Sequence, residues 1–319
     1  MIHHAHLVGF RVPHPDLRNR ILLRHVIPTR GVPPSGRSLP GGAAFVKAAH
    51  ARYNVAMPAH LVTTLPSPAY VLSDAHLGVA PAEQEQLLWS FLGHVAAEGR
   101  GTVILNGDMF EFWFEWGHVV PQVGVRLLSA VAAITERGIP VVWLKGNHDC
   151  WGGDVLRTQS GATYIDGPWA GTLAGWRTHV AHGDGLRPRL DAGYRRLRTV
   201  IRHPWSIRAF RWLHPDWGAA LARATSHTSR NVRPRDGGEG LRAVAHETLG
   251  ADRALELVIF GHTHLAQLER KSRESGIYAN PGAWLDAPTF LKLTPERVAL
   301  CRWDGSTEIV DASIDRGAT

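Results

Sequence analysis

Five short apolar runs in this chain end in side chains that can hold metal ions or carry protons. They are Tyr70-Val-Leu-Ser-Asp74-Ala-His76, Val103-Ile-Leu-Asn-Gly-Asp108, Val141-Val-Trp-Leu-Lys-Gly-Asn147-His148-Asp149, His179-Val-Ala-His182-Gly-Asp184 and Leu257-Val-Ile-Phe-Gly-His262-Thr-His264. The functional residues at these ends are Asp, Asn and His. Carboxylate, imidazole and amide oxygen together suit Mn²⁺, Fe²⁺ or Zn²⁺ better than a thiolate-selective ion. Asp74 with His76, and His262 with His264, are two residues apart. Each pair therefore needs a loop to aim both side chains at one place, and Gly78 is compatible with such a loop. A lone Asp-x-His or His-x-His is weak evidence. The ordered set, each member following a strand-like run, points to two metal ions with Asp108 bridging them.

The elements that must position these residues follow from the spacing. Val103, Ile104 and Leu105 read as a central strand buried on both faces. Asn106-Gly107 then turns the chain and leaves Asp108 at the strand's carboxyl end, where open α/β sheets place ligands. Strands over 69–74, 102–106 and 140–144 alternate with helices over about 82–97 and 119–137. That alternation is the pattern of a layered α/β fold. Runs 289–293, 297–303 and 307–312 read as closing strands.

Two segments depart from this pattern. Residues 1–66 are rich in Pro and Gly, with weak periodicity apart from a possible helix over 43–53, and read as an extension. The main domain is expected over 67–319. Between 187 and 211 there are eight arginines, opposed only by Asp191. Leu190, Tyr194, Leu197 and Ile201 share one helical face there, and Trp205, Phe210, Trp212 and Trp217 follow. This segment reads as a helical cap inserted at about 186–250. Its mixture of arginine and tryptophan suits an anionic membrane surface or a lipid-bearing anion.

The net charge of +7 also favours an anionic partner. Cys150 and Cys301, the two cysteines, give neither a disulfide framework nor a metal-ligand pair. No apolar run approaches the ~18 residues of a membrane span. A cytoplasmic protein, peripheral to the inner face of the membrane, is expected.

Ser73-Asp-Ala-His-Leu-Gly78, Asn106-Gly-Asp108, Gly146-Asn-His-Asp149, Val180-Ala-His-Gly-Asp184 and Gly261-His-Thr-His264 resemble the motifs of the calcineurin-like metallophosphoesterases. The resemblance implies an α/β/β/α sandwich with the metals at the sheet edge. It implies Asp74, His76, Asp108 and His264 around one ion, and Asp108, Asn147, His182 and His262 around the other. Two cations about 3.5–4 Å apart can clamp a phosphoryl oxygen and lower the pKa of a bridging water, without a covalent protein nucleophile. His148 is then a candidate catalytic residue, donating a proton to the leaving oxygen or holding a phosphate oxygen. Asp149 would orient its imidazole. Asp184 reads as structural.

A narrower resemblance runs through Gly107-Asp-Met-Phe-Glu-Phe-Trp113, the segment 194–230 and Tyr278-Ala-Asn-Pro-Gly-Ala-Trp284. These are similar to the UDP-2,3-diacylglucosamine diphosphatases of lipid A synthesis, which release UMP and 2,3-diacylglucosamine 1-phosphate. That resemblance implies Mn²⁺, and substrate contacts from Asn147, His148, Asp191, Tyr194, Ser229, Arg230 and His262. The alternative is a soluble nucleotide, a phosphoprotein or a nucleic-acid phosphodiester. The arginines cluster in a Trp-rich insert and do not line an extended groove, so nucleic acid is not the expected partner.

Overall fold

The computed structural model describes residues 63–187, 189–230, 236–272 and 275–317, except the side chains of 223 and 225–230. In chain order the elements are β1 (Thr63–Leu65), β2 (Ala69–Leu72), α1 (Ala82–Glu98), β3 (Thr102–Asn106), α2 (Gly124–Thr135), β4 (Val141–Leu144) and α3 (Asp154–Ser160). Then come β5 (Thr163–Ile165), β6 (Trp169–Leu173), β7 (Trp176–Ala181), α4 (Ala192–Ile201), α5 (Pro204–Arg211), α6 (Pro215–Arg230) and α7 (Glu239–Ala251). The chain closes with β8 (Leu257–Phe260), β9 (Gln267–Arg270), β10 (Ile277–Asn280), β11 (Thr289–Leu293), β12 (Arg297–Trp303) and β13 (Glu308–Asp315).

Two mixed sheets result. One runs β1-β6-β7-β8-β10-β9 and the other β13-β12-β11-β2-β3-β4-β5. Side chains on successive strand residues point to opposite faces. Val71, Ile104, Val142, Leu144 and Leu291 therefore meet Val180, Ile259 and Ala279 in one core between the sheets. Tyr70, Leu72, Val103, Leu105 and Trp143 face the other way and pack on Phe91, Leu92 and Val95 of α1 and Leu127 and Val131 of α2. On the far side of the other sheet, Leu241, Val244, Ala245 and Leu249 of α7 cover Val258, Phe260 and Tyr278. Helix, sheet, sheet, helix is the expected α/β/β/α order.

Several boundaries differ from expectation. The domain does not start at 67: β1 pairs in parallel with β6, Thr63 opposite Gly171 and Leu65 opposite Leu173. The expected helix over 119–137 begins only at Gly124, because Pro121 and the turn before it hold residues 119–123 out of the helix. The expected cap end near 250 also moves. Helix α7 supplies a buried face to the sandwich, so its packing makes it a layer of the main fold. The expected helix over 43–53, with the rest of 1–62, lies outside the described residues.

His179, on β7, is buried, and that burial pushes its pKa from 6.5 down to about 4. The folded protein keeps this ring neutral, whereas an unfolded chain protonates it below pH 6.5. Its contribution to stability is therefore complete above pH 6.5 and declines as the pH falls to about 4, by up to ~3 kcal/mol. His179→Gln protein should show a flatter dependence of melting temperature on pH between 6.5 and 4. Equal slopes in the two proteins would refute this.

Candidate metal centre

Strands β2, β3 and β4 run parallel in one sheet, and β7 and β8 run parallel in the other. Their carboxyl ends open on a common edge. Asp74 follows β2, Asp108 follows β3, Asn147 and His148 follow β4, His182 follows β7, and His262 and His264 follow β8. The chain must turn sharply there to aim short side chains inward. Asp74, His76, Asp108, His262 and His264 all have positive φ, between 45° and 64°. Such conformations cost about 1–3 kcal/mol each in non-glycine residues and persist only where the surroundings enforce them. The enforcement is visible in the main chain. Asp74 N donates to Gly107 O (3.1 Å), His76 N to Asp108 O (3.0 Å) and Leu77 N to Met109 O (3.0 Å).

The donor atoms form two overlapping groups. In the first, His264 Nε2 lies 3.3 Å from His76 Nε2 and 3.5 Å from Asp74 Oδ1, and His76 Nε2 lies 3.9 Å from Asp74 Oδ1. In the second, His182 Nε2 lies 3.2 Å from Asp108 Oδ2 and 3.3 Å from Asn147 Oδ1. Asp108 belongs to both, since its Oδ2 is also 4.0 Å from His76 Nε2. His262 joins the second group through a carboxylate–imidazole cluster with Asp108 and His182.

The imidazoles share one logic. His182 Nδ1 donates to Asn106 O (2.8 Å), His76 Nδ1 lies 2.9 Å from Glu111 Oε2, and His264 Nδ1 lies 3.4 Å from Asp286 Oδ2. With Nδ1 engaged outward, Nε2 is left to face the cluster.

Divalent ions fit these residues. Asp74 Oδ2 accepts from Ser73 Oγ and His262 N, but its buried Oδ1 has no hydrogen bond and points at the imidazoles. A buried carboxylate oxygen without a donor is costly. Nitrogen and oxygen lone pairs at 3.2–4.0 Å repel unless a cation or a proton lies among them. The charges without metal say the same. Burial works against ionising Asp108, yet His182 and His148 outweigh it and hold the carboxyl well below its ordinary range. Burial likewise opposes a charged His182, but Asp108 and Asp74 hold its pKa well above normal. Burial also opposes a charged His264, while Asp286 and Asp74 push it up to about 10. Protons supply the positive charge here, and a divalent ion would displace them.

Asp149 requires a correction. Its carboxylate does not orient His148, because it accepts from Gly146 N (2.8 Å) and Met109 N (3.0 Å) and ties the two loops together. Burial and the nearby Asp108 push its pKa up to about 6. His148 is held otherwise: its N donates to Asp108 Oδ1 (2.8 Å) and its Nδ1 to Glu111 O (3.1 Å). Glu111 was not singled out from the sequence. The signal was present, a carboxylate set between Phe110 and Phe112 in an aromatic stretch.

Asp191 and Tyr194, expected to contact substrate, are engaged within the protein. Asp191 accepts three hydrogen bonds from Arg187, one from its main chain and two from its guanidinium. Tyr194 Oη donates to Asp184 Oδ2 (2.7 Å). Asp184 also receives Arg198 Nη1 at 3.3 Å, so it anchors α4 to the loop after β7. Arg202 donates to Gly146 O (3.1 Å), one residue from Asn147. The side chains of Ser229 and Arg230 lie outside the described residues, although both belong to α6.

The aromatic stretch after Asp108 seats the cap. Phe210 of α5 packs on Phe114 and Trp151, both at 4.9 Å between ring centres, and on Phe112 and Trp116. Trp116 and Trp151 donate to Leu213 O and Ile201 O (3.2 and 2.9 Å).

Comparison with known proteins gives a consistent picture. The family profile of the calcineurin-like phosphoesterases matches residues 67–266. A UDP-2,3-diacylglucosamine hydrolase of Porphyromonas gingivalis is 27% identical over 270 residues, covering 78% of this chain and 98% of that protein. Proteins of the same description match from Aeromonas hydrophila (30% over 199 residues, 60% and 80% covered) and from Neisseria meningitidis serogroup C (29% over 208 residues, 64% and 85% covered).

Proposed function

The chain belongs to the calcineurin-like phosphoesterase family and is a metal-dependent hydrolase, and from that premise we propose that it cleaves the pyrophosphate of UDP-2,3-diacylglucosamine. The products are UMP and 2,3-diacylglucosamine 1-phosphate, a step of lipid A biosynthesis. The observation that carries this substrate is the surface of α4–α6. Leu197, Val200, Trp205, Trp217 and Leu221 are exposed there, and Trp212 is 91% exposed. Arginines stand between them, and Arg208 lies over the Trp205 ring. An acylated substrate presents its chains and its pyrophosphate together, so its enzyme needs apolar and cationic groups side by side. Among the described residues no helix is long and apolar enough to cross a membrane. In this proposal the protein meets the anionic inner face of the cell membrane through the Trp–Arg surface.

Asp74, His76, Asp108 and His264 would hold one Mn²⁺, and Asp108, Asn147, His182 and His262 the other. Bound there, the pair supplies positive charge against the phosphoryl oxygens and acidifies the attacking water. The protein's own groups do the rest. Asp108 Oδ1 accepts from the main-chain N–H of His148, and Glu111 O accepts from its Nδ1–H, so Nε2 is the nitrogen offered to substrate. As an imidazolium, with a second proton on Nε2, His148 donates to a phosphoryl oxygen or passes that proton to the leaving oxygen. Arg202, bound to Gly146 O and beside Asp166, fixes the cap against the Asn147 loop.

The decisive measurement is hydrolysis of UDP-2,3-diacylglucosamine beside bis-p-nitrophenyl phosphate by Mn²⁺-loaded protein. UMP release from the lipid substrate supports the proposal; turnover of the artificial diester alone rejects the substrate. Replacing Trp205, Trp212 and Trp217 together by Ala should raise KM for the lipid substrate about tenfold, a loss of ~1.4 kcal/mol. Hydrolysis of the diester should be unchanged. An equal effect on both substrates would remove the membrane role from this surface.

A further inference from the structure

His94 of α1 faces two carboxylates that take no part in the candidate metal centre. Glu98 stands one helical turn further along α1, with its Oε1 3.6 Å from His94 Nε2. Glu308, the first residue of β13, comes from the far end of the chain and sets its Oε1 3.7 Å from the same nitrogen. The three donor atoms all lie within 4.8 Å of one another. Ligands held about 2.0–2.2 Å from a tetrahedral ion stand ~3.3–3.6 Å apart, so the spacing is close to that of one Zn²⁺ site. We propose that His94, Glu98 and Glu308 bind a Zn²⁺ ion at a site separate from the proposed two-ion centre and so pin α1 to β13.

Each ligand is aimed by a neighbour. Tyr70 Oη donates to Glu98 Oε2 (2.8 Å), which leaves Oε1 toward His94. Lys292 Nζ donates to Glu308 Oε2, while Glu308 Oε1 is buried and has no hydrogen-bond donor. A buried carboxylate oxygen without a donor is costly, and an ion beside His94 Nε2 would satisfy it. The His94 ring packs on Trp303 with ring centres 4.9 Å apart, and Trp303 Nε1 is itself tied to Ser90 Oγ (2.7 Å). Trp303 is the cross-strand partner of Glu308, so one register between β12 and β13 sets both the ring that supports His94 and the carboxylate that faces it. Burial, then the Glu98 bond and the Glu308 charge, hold the Tyr70 phenol well above its ordinary range, so it remains a donor to Glu98. Imidazole and carboxylate oxygen together suit Zn²⁺, which such sets bind more tightly than Mn²⁺. The His94 side chain is 33% exposed, which gives the ion a path of entry and water as a fourth ligand. The site is structural in its placement. Tyr70 lies in the first half of β2, whereas Asp74 follows that strand's carboxyl end.

Zn²⁺ uptake by wild-type and His94→Ala protein tests this. Dialysed against the same saturating Zn²⁺, the wild type should hold one equivalent more than the variant. Glu308→Gln, which keeps the volume, should lose the same equivalent, and it serves if His94→Ala fails to fold. Both variants retain every residue of the proposed two-ion centre, so the difference stands whether or not that centre fills. In imidazole nitrogen spectra of the wild type, Zn²⁺ should shift the His94 Nε2 signal. Mn²⁺-loaded variants should hydrolyse bis-p-nitrophenyl phosphate at the wild-type rate, as a separate site requires. Equal Zn²⁺ content in the wild type and both variants overturns the proposal. So does a His94 signal that follows pH but ignores Zn²⁺, which would make the cluster an imidazolium held between two glutamates.

Discussion

Replacement of Asp108 by Ala is expected to abolish phosphoester hydrolysis, with turnover falling by more than the ~10²–10³-fold lost when a single transition-state donor is removed. Three roles fall on this one residue. Its Oδ2 faces His182 Nε2 at 3.2 Å and His76 Nε2 at 4.0 Å, so it is the side chain common to both donor groups. Its Oδ1 accepts the main chain of His148. Its backbone takes the His76 amide and so holds the first ligand loop. Ala removes the first two and leaves the third, which keeps the loops in place. The Ala protein should therefore fold yet hold fewer than two equivalents of Mn²⁺. Asp108→Asn, which preserves volume, should be nearly as inactive. Turnover near the wild-type rate in either variant would refute the bridging role.

The second large effect is expected from a residue with no functional group. A Cβ on Gly146 would stand 2.0 Å from Asp108 Oδ1 and 2.4 Å from Asp108 N. Neither atom can retreat cheaply, because one belongs to the carboxylate common to both donor groups and the other to the backbone at the end of β3. Gly146→Ala must displace Asp108, or push the Asn147 loop away from it. Misplacement of reacting groups by about 1 Å can cost ~10²-fold in rate. We expect a loss of that order or more, together with weakened Mn²⁺ binding. Gly250→Ala is the matching control. That position lies in α7 with open space around its Cβ, and Ala favours a helix by about 1 kcal/mol over Gly. If Gly146→Ala turned over like the control, the close approach would carry no functional weight.

The layout of the site was legible in the sequence because strand ends are local features. A buried run such as Val103-Ile104-Leu105 announces a strand, and β3 ends at Asn106 as the spacing suggests. The residues that follow such runs arrive at one sheet edge for topological reasons. A layered α/β fold followed from the same alternation, and the α/β/β/α order from the family resemblance. Elements with little periodic signal were not legible: β1 and β5 have three residues each, and β6 carries a Gly in its middle. Partnership across space was also hidden. Asp149 was paired with His148 because they are neighbours in the chain, but the turn sends the Asp149 carboxylate to Gly146 and Met109. Asp191 and Tyr194 were expected to contact substrate because of the resemblance. Their engagement with Arg187 and Asp184 depends on how α4 docks.

The five ligand loops have a further consequence for the protein during its synthesis. His76 meets His264, and the His262 amide meets Asp74, across 188 residues of chain. A growing polypeptide that has released Asp74, Asp108 and Asn147 still lacks the imidazoles that complete both donor groups. Nor can it form the second sheet's parallel pair of β7 and β8. Such long-range pairings are late and slow to form. On the proposed metal reading, metal acquisition is tied to near-completion of translation, and fragments terminating before His262 should emerge without a competent metal centre, however much of the first sheet they have folded.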